Sequence, residues 1–503
     1  MSAHISAANL PATDRSTNTE PGMGETTSTS IPLLIDLDHT LIRTDLLMEM
    51  ALAAIAANPL RALHLVSWTL NGRAHLKRRL AETVDLEPDL IPVNNEVVTL
   101  ALEAKRQGRQ VFLVTASDEL PAKKLAARFP FLDGVISSDG ITNLKGRRKA
   151  AAVGERFPLG YDYAGDSAAD IHVWRNARRV IAVAPDSATL RKVRALGKPT
   201  TVIDGKSRLR ALIKASRLHQ WAKNSLIFVP AILSGTIADP GTVLNCVLAF
   251  LALGLVALGT YLINDLLDIT HDRRHWSKRF RPIAAGNLPI GMALAAAVVS
   301  IAGGLAIGAT VGFGVFAGLL TYLGLTLMYS IHIKRLPIID VVVLASLFTL
   351  RLAIGIAAAH VFASPWLLVF SMSLFTSLSI AKRYTEIQRT QAKGDTAVPG
   401  RGYVTADAPL VLGLGLATGT ASILILVLYL IFDAFSHQFY SNPHWLWWFP
   451  LILFLWIGRI WLISQRGELN DDPVAFALKD RQSLALGAMM GLAFVLAWVG
   501  APL

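Results

Sequence analysis

The chain has 503 residues, 53% of them hydrophobic, a formal net charge of +12 and one cysteine, with a mean hydropathy of +0.46. A single thiol excludes a disulfide framework, and this hydropathy excludes a lone soluble domain. The basic balance fits Lys- and Arg-rich loops between apolar spans and not a nucleic-acid partner.

Residues 1–30, with "TDRSTNTEPGMGETTSTS", lack an apolar core. They predict neither a signal peptide nor a folded segment, but a disordered tail that stays in the cytoplasm. From 31 to 205 the β-rich runs "PLLIDLD", "QVFLVTAS", "YDYAGDS", "RVIAVAP" and "TTVID" alternate with helical stretches. That alternation predicts a parallel α/β sheet of Rossmann type, in which ligands sit at the carboxyl ends of the strands. Asp45 to about Gln107 carries helical, amphipathic patterning without a strand signal, so a small helical cap inserted over that edge is expected. Residues 206–503 read as an all-α membrane domain with apolar runs at 223–236, 241–263, 288–307, 311–329, 338–360, 364–381, 408–433, 445–464 and 484–501. Most are long enough to span a bilayer; the first is short.

With the amino terminus inside, the even-numbered gaps hold Arg273, Arg274, Lys278, Arg279 and Arg281; Lys334 and Arg335; Lys382, Arg383, Arg389, Lys393 and Arg401; and Arg466, Lys479 and Arg481. The other gaps, among them "TIADP", "HVFAS" and "AFSHQFYSNPH", have no Lys or Arg. This asymmetry predicts an integral protein of the bacterial inner membrane, with its polar loops and its α/β domain on the cytoplasmic side.

The first chemistry lies in "LLIDLDHTLIRTD", Leu33 to Asp45. Cleaving a phosphate ester through an aspartyl-phosphate needs one carboxylate as nucleophile and a second to protonate the leaving oxygen and then activate water. Asp36 and Asp38 fit those roles. Thr115, ending "VFLVTAS", offers a hydroxyl to phosphate oxygens, and Lys149 in "NLKGRRKAAAV" offers a cation, with Lys145 as its rival. "GDSAAD" adds Asp166 and Asp170, which with Asp36 and Asp38 are the candidate Mg2+ ligands. The four motifs, in this order, resemble the haloacid dehalogenase superfamily of phosphatases over about residues 31–205.

The second chemistry is "YLINDLLDITHDRRHWSKRFRPIAAGNLP". Spacings of three and four stack Asn264, Asp265, Asp268 and Asp272 on one helical face, where like charges repel unless a cation lies between them. Mg2+ bridging to a diphosphate would supply it. The pattern NDxxDxxxD followed by a basic RPI segment resembles the UbiA superfamily of intramembrane prenyltransferases over residues 210–503. That resemblance implies nine helices and a second acidic motif after the fourth or sixth. Here the chain departs: those loops read "YSIHIKRLPIID" and "SIAKRYTEIQRT". Cations in place of carboxylates suit a substrate with more phosphate charge than two Mg2+ ions neutralise, such as phosphoribosyl diphosphate. The segments "LHQWAKN", "KRFRPIAAG", "YSIHIK", "LRLAIG", "AKRYTE", "RGYV" and "DPVAFALKDR" are similar to the decaprenyl-phosphate phosphoribosyltransferase branch.

The resemblance implies that Lys223, Asn264, Lys278, Arg281, Tyr329, Lys334, Arg351 and Lys382 bind the donor or the lipid phosphate. Arg351 stands apart, because an arginine deep in an apolar span is costly and faces either a site or a buried partner, for which Asp340 is the candidate. The combined reading is a bifunctional enzyme. Its membrane domain transfers 5-phosphoribose to polyprenyl phosphate, and its phosphatase removes the 5-phosphate from the lipid-linked product. Three alternatives are an ordinary prenyltransferase using a prenyl diphosphate, with a phosphatase or diphosphatase of unrelated substrate; a phosphatase domain that hydrolyses the released diphosphate and so pulls the transfer forward; and a transporter. The transporter leaves both Asp-rich motifs unexplained, and no inverted repeat is evident. Lipid chain length and homo-oligomerisation are left open.

Overall fold

The computed structural model describes residues 31–436, 439–469, 473–477 and 479–500; the expected tail at 1–30 lies outside them. Six parallel strands, β1 (Leu33–Ile35), β2 (Val111–Asp118), β3 (Gly134–Ser138), β4 (Asp162–Gly165), β5 (Arg179–Val183) and β6 (Thr200–Ile203), form one sheet in the order β3-β2-β1-β4-β5-β6. β1 is "LLI" with every side chain buried, as a strand covered on both faces requires. Leu33 pairs with Val111 on one side and Asp162 on the other. The order reverses at β1, so a crevice opens beyond the carboxyl ends of β1 and β4. "DLD" and "GDSAAD" both leave the sheet there.

The chain turns tightly after β1, with His39 at a φ of 56°, and enters the cap helices α1 (Leu46–Ala57), α2 (Arg61–Leu70) and α3 (Arg73–Thr83). Asp45 starts α1 by accepting a 3.0 Å hydrogen bond from the Met48 amide.

Beyond the sheet, a short amphipathic helix, α5 in chain order after the Lys149 helix α4 (Arg147–Arg156), covers Arg208–Ala215. Among the described residues, eight helices are then long and apolar enough to cross a membrane: α6 (Pro240–Leu267), α7 (Ile290–Val311), α8 (Phe313–Ile331), α9 (Ile339–Ala359), α10 (Pro365–Ala392), α11 (Ala408–Phe432), α12 (Trp448–Gln465) and α13 (Arg481–Val499). The run expected as a first spanning helix at 223–236 is not one. It is 3-10 over Leu218–Phe228 and α over Val229–Leu233. A 3-10 turn rises ~2.0 Å per residue against ~1.5 Å in an α-helix, so this short segment still extends about 30 Å. Its contacts agree: Arg217 binds Asp265 at one end of the bundle, while the Leu233 carbonyl accepts from Tyr440 at the other.

The two halves meet through the loop after α6. Glu49 of α1 receives both arms of Arg273, at 2.6 and 3.0 Å, and the Thr44 hydroxyl at 2.6 Å. Arg274 pairs with Glu87. Met48 and Leu52 pack on a cluster that includes Leu262 and Leu266 of α6 and Ile290 and Ala293 of α7.

Candidate active sites

In the sheet domain, the Lys149 ammonium donates to Asp36 at 2.8 Å, to the Tyr163 hydroxyl at 2.8 Å and to Asp170 at 3.4 Å. Tyr163 in turn donates to Asp170 at 2.9 Å. Asp36, Asp166 and Asp170 each bring one carboxylate oxygen within 4.8 Å of the others. Three carboxylates around one ammonium, two of them buried and Asp166 half-buried, leave a net negative set of hard oxygen donors, which fits Mg2+. Burial pushes Asp36 up to about 6 against the pull of Lys149, and pushes Asp166 up to about 8 with Asp36 adding to the effect. For Lys149, burial opposes the charge but the Asp36 and Asp170 carboxylates outweigh it, so the ammonium is held above the usual lysine range. Lys145 is exposed and stays out of this cluster.

Asp38 is not one of the three residues of that group, although its charge acts on Asp36 and Asp166. One of its oxygens accepts from the Leu46 amide at 2.8 Å and the other from the Ser117 hydroxyl at 2.9 Å. The turn after β1 aims it at the base of the cap. Burial, then Asp45 and Asp36, push it up to about 7. Thr115 is fully buried beside it, and its hydroxyl accepts from the Ser117 amide at 3.0 Å.

In the membrane domain a cavity of about 840 Å³ is lined by all eight expected binding residues: Lys223, Asn264, Lys278, Arg281, Tyr329, Lys334, Arg351 and Lys382. Among the described residues, eleven Lys or Arg side chains line it, against the two carboxylates Asp268 and Glu386. The four acidic-motif residues are not one converging ligand set. Asn264 and Asp268, one turn apart, face the cavity. Asp265 and Asp272 are buried behind them and share Arg281, at 3.0 and 2.7 Å, and Asp265 also takes Arg217 at 2.5 and 2.6 Å. Lys334 reaches both Asp268 oxygens, at 2.8 and 3.0 Å. The cavity-facing pair, one amide oxygen and one carboxylate, fits an Mg2+ ion that completes its shell with phosphate oxygens and water.

Arg351 is 4% exposed and its partners are neutral: Asn224 at 3.1 Å, the Leu347 carbonyl at 2.5 Å, the Tyr322 hydroxyl at 3.2 Å, and the Tyr322 and Phe348 rings. Asp340, its expected alternative partner, pairs instead with Arg383 at 2.6 Å and with the Tyr403 hydroxyl at 2.7 Å. The Tyr329 hydroxyl accepts from Arg383 and Arg401, both at 2.9 Å. Sequence reasoning missed Arg217, Tyr163, Ser117 and Arg383 as site residues. Arg217 immediately precedes "LHQWAKN" and Tyr163 lies within "YDYAGDS", so both signals were adjacent; Arg383 was visible only as one more loop charge.

The profile of the UbiA prenyltransferase family matches residues 227–483. The chain belongs to this family. The uncharacterized protein y4nM of Sinorhizobium fredii is 40% identical over 93% of this chain and 91% of its own, a match that takes in both the sheet and the bundle of this UbiA-family chain. Decaprenyl-phosphate phosphoribosyltransferase of Corynebacterium glutamicum is 35% identical over 45% of this chain and 68% of its own. A solved UbiA homolog from Archaeoglobus fulgidus, bound to DMAPP and Mg2+, is similar over 58% of this chain and 98% of its own, with 15% identity and a TM-score of 0.44.

Proposed function

We propose that the membrane domain transfers 5-phosphoribose from phosphoribosyl diphosphate to polyprenyl phosphate, and that the haloacid dehalogenase-like domain then removes the 5-phosphate. The observation that carries this reading is the charge of the cavity, eleven cations to two carboxylates among the described residues. A prenyl diphosphate carries one charged group, whereas phosphoribosyl diphosphate has a diphosphate and a separate phosphate, and the lipid acceptor adds a third. The similarity to decaprenyl-phosphate phosphoribosyltransferase supports the same assignment.

In this reading Asn264 and Asp268 hold Mg2+, which supplies charge neutralisation at the diphosphate when bound. Arg281 and Lys334 sit between the acidic motif and the cavity, placed to follow negative charge as it develops on the leaving diphosphate. Arg351 takes a phosphate group, since a buried guanidinium with neutral partners gains most from an anion. The lipid phosphate oxygen attacks C1 of the ribose as the C1–O bond to diphosphate breaks. In the sheet domain Asp36 attacks phosphorus and Asp38 protonates the departing 5-oxygen, then takes a proton from the water that opens the aspartyl-phosphate. Asp36, Asp166 and Asp170 hold Mg2+ there. The domain limits 31–205 and 206–503, and a cytoplasmic orientation of both sites at the inner membrane, belong to this proposal.

The test combines Asp36→Asn with mass spectrometry of extracted lipid. The unmodified chain, given phosphoribosyl diphosphate and polyprenyl phosphate, is expected to yield dephosphorylated polyprenyl phosphoribose, and Asp36→Asn the form that keeps its 5-phosphate. No diphosphate release in the presence of the lipid acceptor would remove the transfer assignment. A lipid that keeps its 5-phosphate with the unmodified chain would remove the coupling alone.

A further inference from the structure

The cap carries an apolar surface that neither reaction uses. Leu60, Leu63, Val66 and Leu70, at and along α2, are 68, 70, 62 and 84% exposed. Their spacing puts them on one side of a helix of 3.6 residues per turn. Leu65 and Trp68, on the other side, pack with α1 and α3 around Met50, Ala54 and Leu80. A stripe of four exposed large side chains is not explained by the cap's own core.

What covers the stripe follows from its neighbour. α1, "LLMEMALAAIAA", is apolar almost throughout, and Met48 and Leu52 pack against the ends of the spanning helices α6 and α7. A turn at Asn58 and Pro59 leads directly from that contact into α2. No Asp or Glu occurs between Glu49 and Glu82, while Arg61, Arg73, Lys77, Arg78 and Arg79 do. An apolar stripe on a helix with no acidic side chain, continuous with a face already packed on membrane helices, has the chemistry of an interfacial element.

We propose that the α1–α2 hairpin of the cap is seated in the bilayer, with the α2 stripe among acyl chains and the phosphatase crevice held at headgroup level, where a lipid-linked phosphate reaches it without leaving the membrane. The seating rests on the exposure and packing of the hairpin alone; the benefit to a lipid-linked substrate rests on the function proposed above.

The test uses the full chain with Cys246→Ala, a single cysteine at Leu63 or Leu70 and an environment-sensitive fluorophore, in nanodiscs of phosphatidylcholine and phosphatidylglycerol. Emission is expected to shift to the blue, to be quenched by lipid with a doxyl group on its acyl chain, and to be protected from aqueous iodide. A label at Arg79 should show the reverse. Iodide quenching of both stripe labels overturns the proposal, as does cross-linking of two copies through Leu63→Cys, which would assign the stripe to a second copy. In a separate arm, Leu63→Glu with Leu70→Glu should slow dephosphorylation of a lipid-linked phosphate by about tenfold or more, since charges are costly in the acyl region. Cleavage of a soluble phosphate ester should be unchanged. Equal loss on both substrates overturns the capture role. If no lipid-linked phosphate is cleaved by the unmodified chain, the function proposed above fails, and the quenching result still decides the seating.

Discussion

At the scale of single residues, the two sites use burial in opposite ways. In the sheet domain burial raises carboxylates, and Asp38, pushed up to about 7 by burial and its acidic neighbours, is the acid of the proposed phosphatase step. An acid works only while protonated, so phosphatase kcat/KM should fall as pH rises through about 7, and Asp38→Asn should abolish the activity at every pH. A rate that stays flat from about pH 6 to about pH 9, roughly three decades of proton concentration spanning that value, would assign the proton to another group. In the membrane domain burial isolates a cation instead. Arg351→Lys keeps the charge but loses the planar fork that binds phosphate with two parallel hydrogen bonds. Transfer kcat/KM is expected to drop by about tenfold to a hundredfold, or roughly 1.4–2.8 kcal/mol of transition-state binding. Unfolding temperature should change little, because the lost partners are neutral. Asp268→Asn should stop transfer through loss of the cavity-facing carboxylate while a soluble phosphate ester is still cleaved.

At the scale of elements, the loop after α6 does two jobs at once. Its residues 269–274 form a short helix that ends the acidic motif at Asp272 and, at the next position, presents Arg273 to Glu49. The side chains of that pair are 7 and 3% exposed. Removing one partner strands the other charge away from water, so Glu49→Ala should cost about 3–5 kcal/mol of interface stability. Replacing both partners with apolar residues should recover much of it. Limited proteolysis between residues 203 and 217 reads the difference. Gly286 makes the same interface depend on close approach: its φ is +68°, and an added Cβ would lie 2.6 Å from the Arg43 Cβ and 2.8 Å from the Arg43 carbonyl oxygen. Gly286→Ala should therefore loosen the two halves with a proteolytic pattern like that of Glu49→Ala, while each active site keeps its own residues.

At the scale of the whole molecule, the cation-rich loops converge on one end of the bundle, and the sheet domain docks at that end. Lys334 binds Asp268, Arg401 binds Tyr329, and Arg389 binds the Gly467 and Leu469 carbonyls, tying four separate gaps together. Arg273 then joins this end to the cap. Anything that binds only the folded state stabilises it, by about 2.7 kcal/mol when its concentration is a hundred times its Kd. Mg2+ should therefore raise the unfolding temperature of the full chain. Asp166→Asn should remove the share that belongs to the sheet domain, leaving that of the membrane domain; a full Mg2+ effect in this variant would take Asp166 out of the ligand set.

The sequence by itself determined much of this. The β runs gave the sheet because strand period and apolar continuity are local properties, and the DxD, Thr, Lys and GDSAAD motifs marked the crevice because all of them follow or flank predicted strands. Charge asymmetry grouped the polar loops for the same reason: positive charge is costly to bury in lipid wherever it lies in the chain. Spacing alone could not sort the acidic motif. Asn264, Asp265, Asp268 and Asp272 share a helical period, but only the packed bundle turns Asn264 and Asp268 to the cavity and leaves Asp265 and Asp272 to Arg217 and Arg281. The same holds for partners distant in sequence. Asp340 lies about 16 Å along the same helix from Arg351, out of its reach, and meets Arg383 only once α9 and α10 pack, and the first crossing reads as a short apolar helix until its 3-10 rise lets sixteen residues connect both ends of the bundle. Periodicity records which residues share a face; which face meets which is decided by tertiary contacts that no local pattern contains.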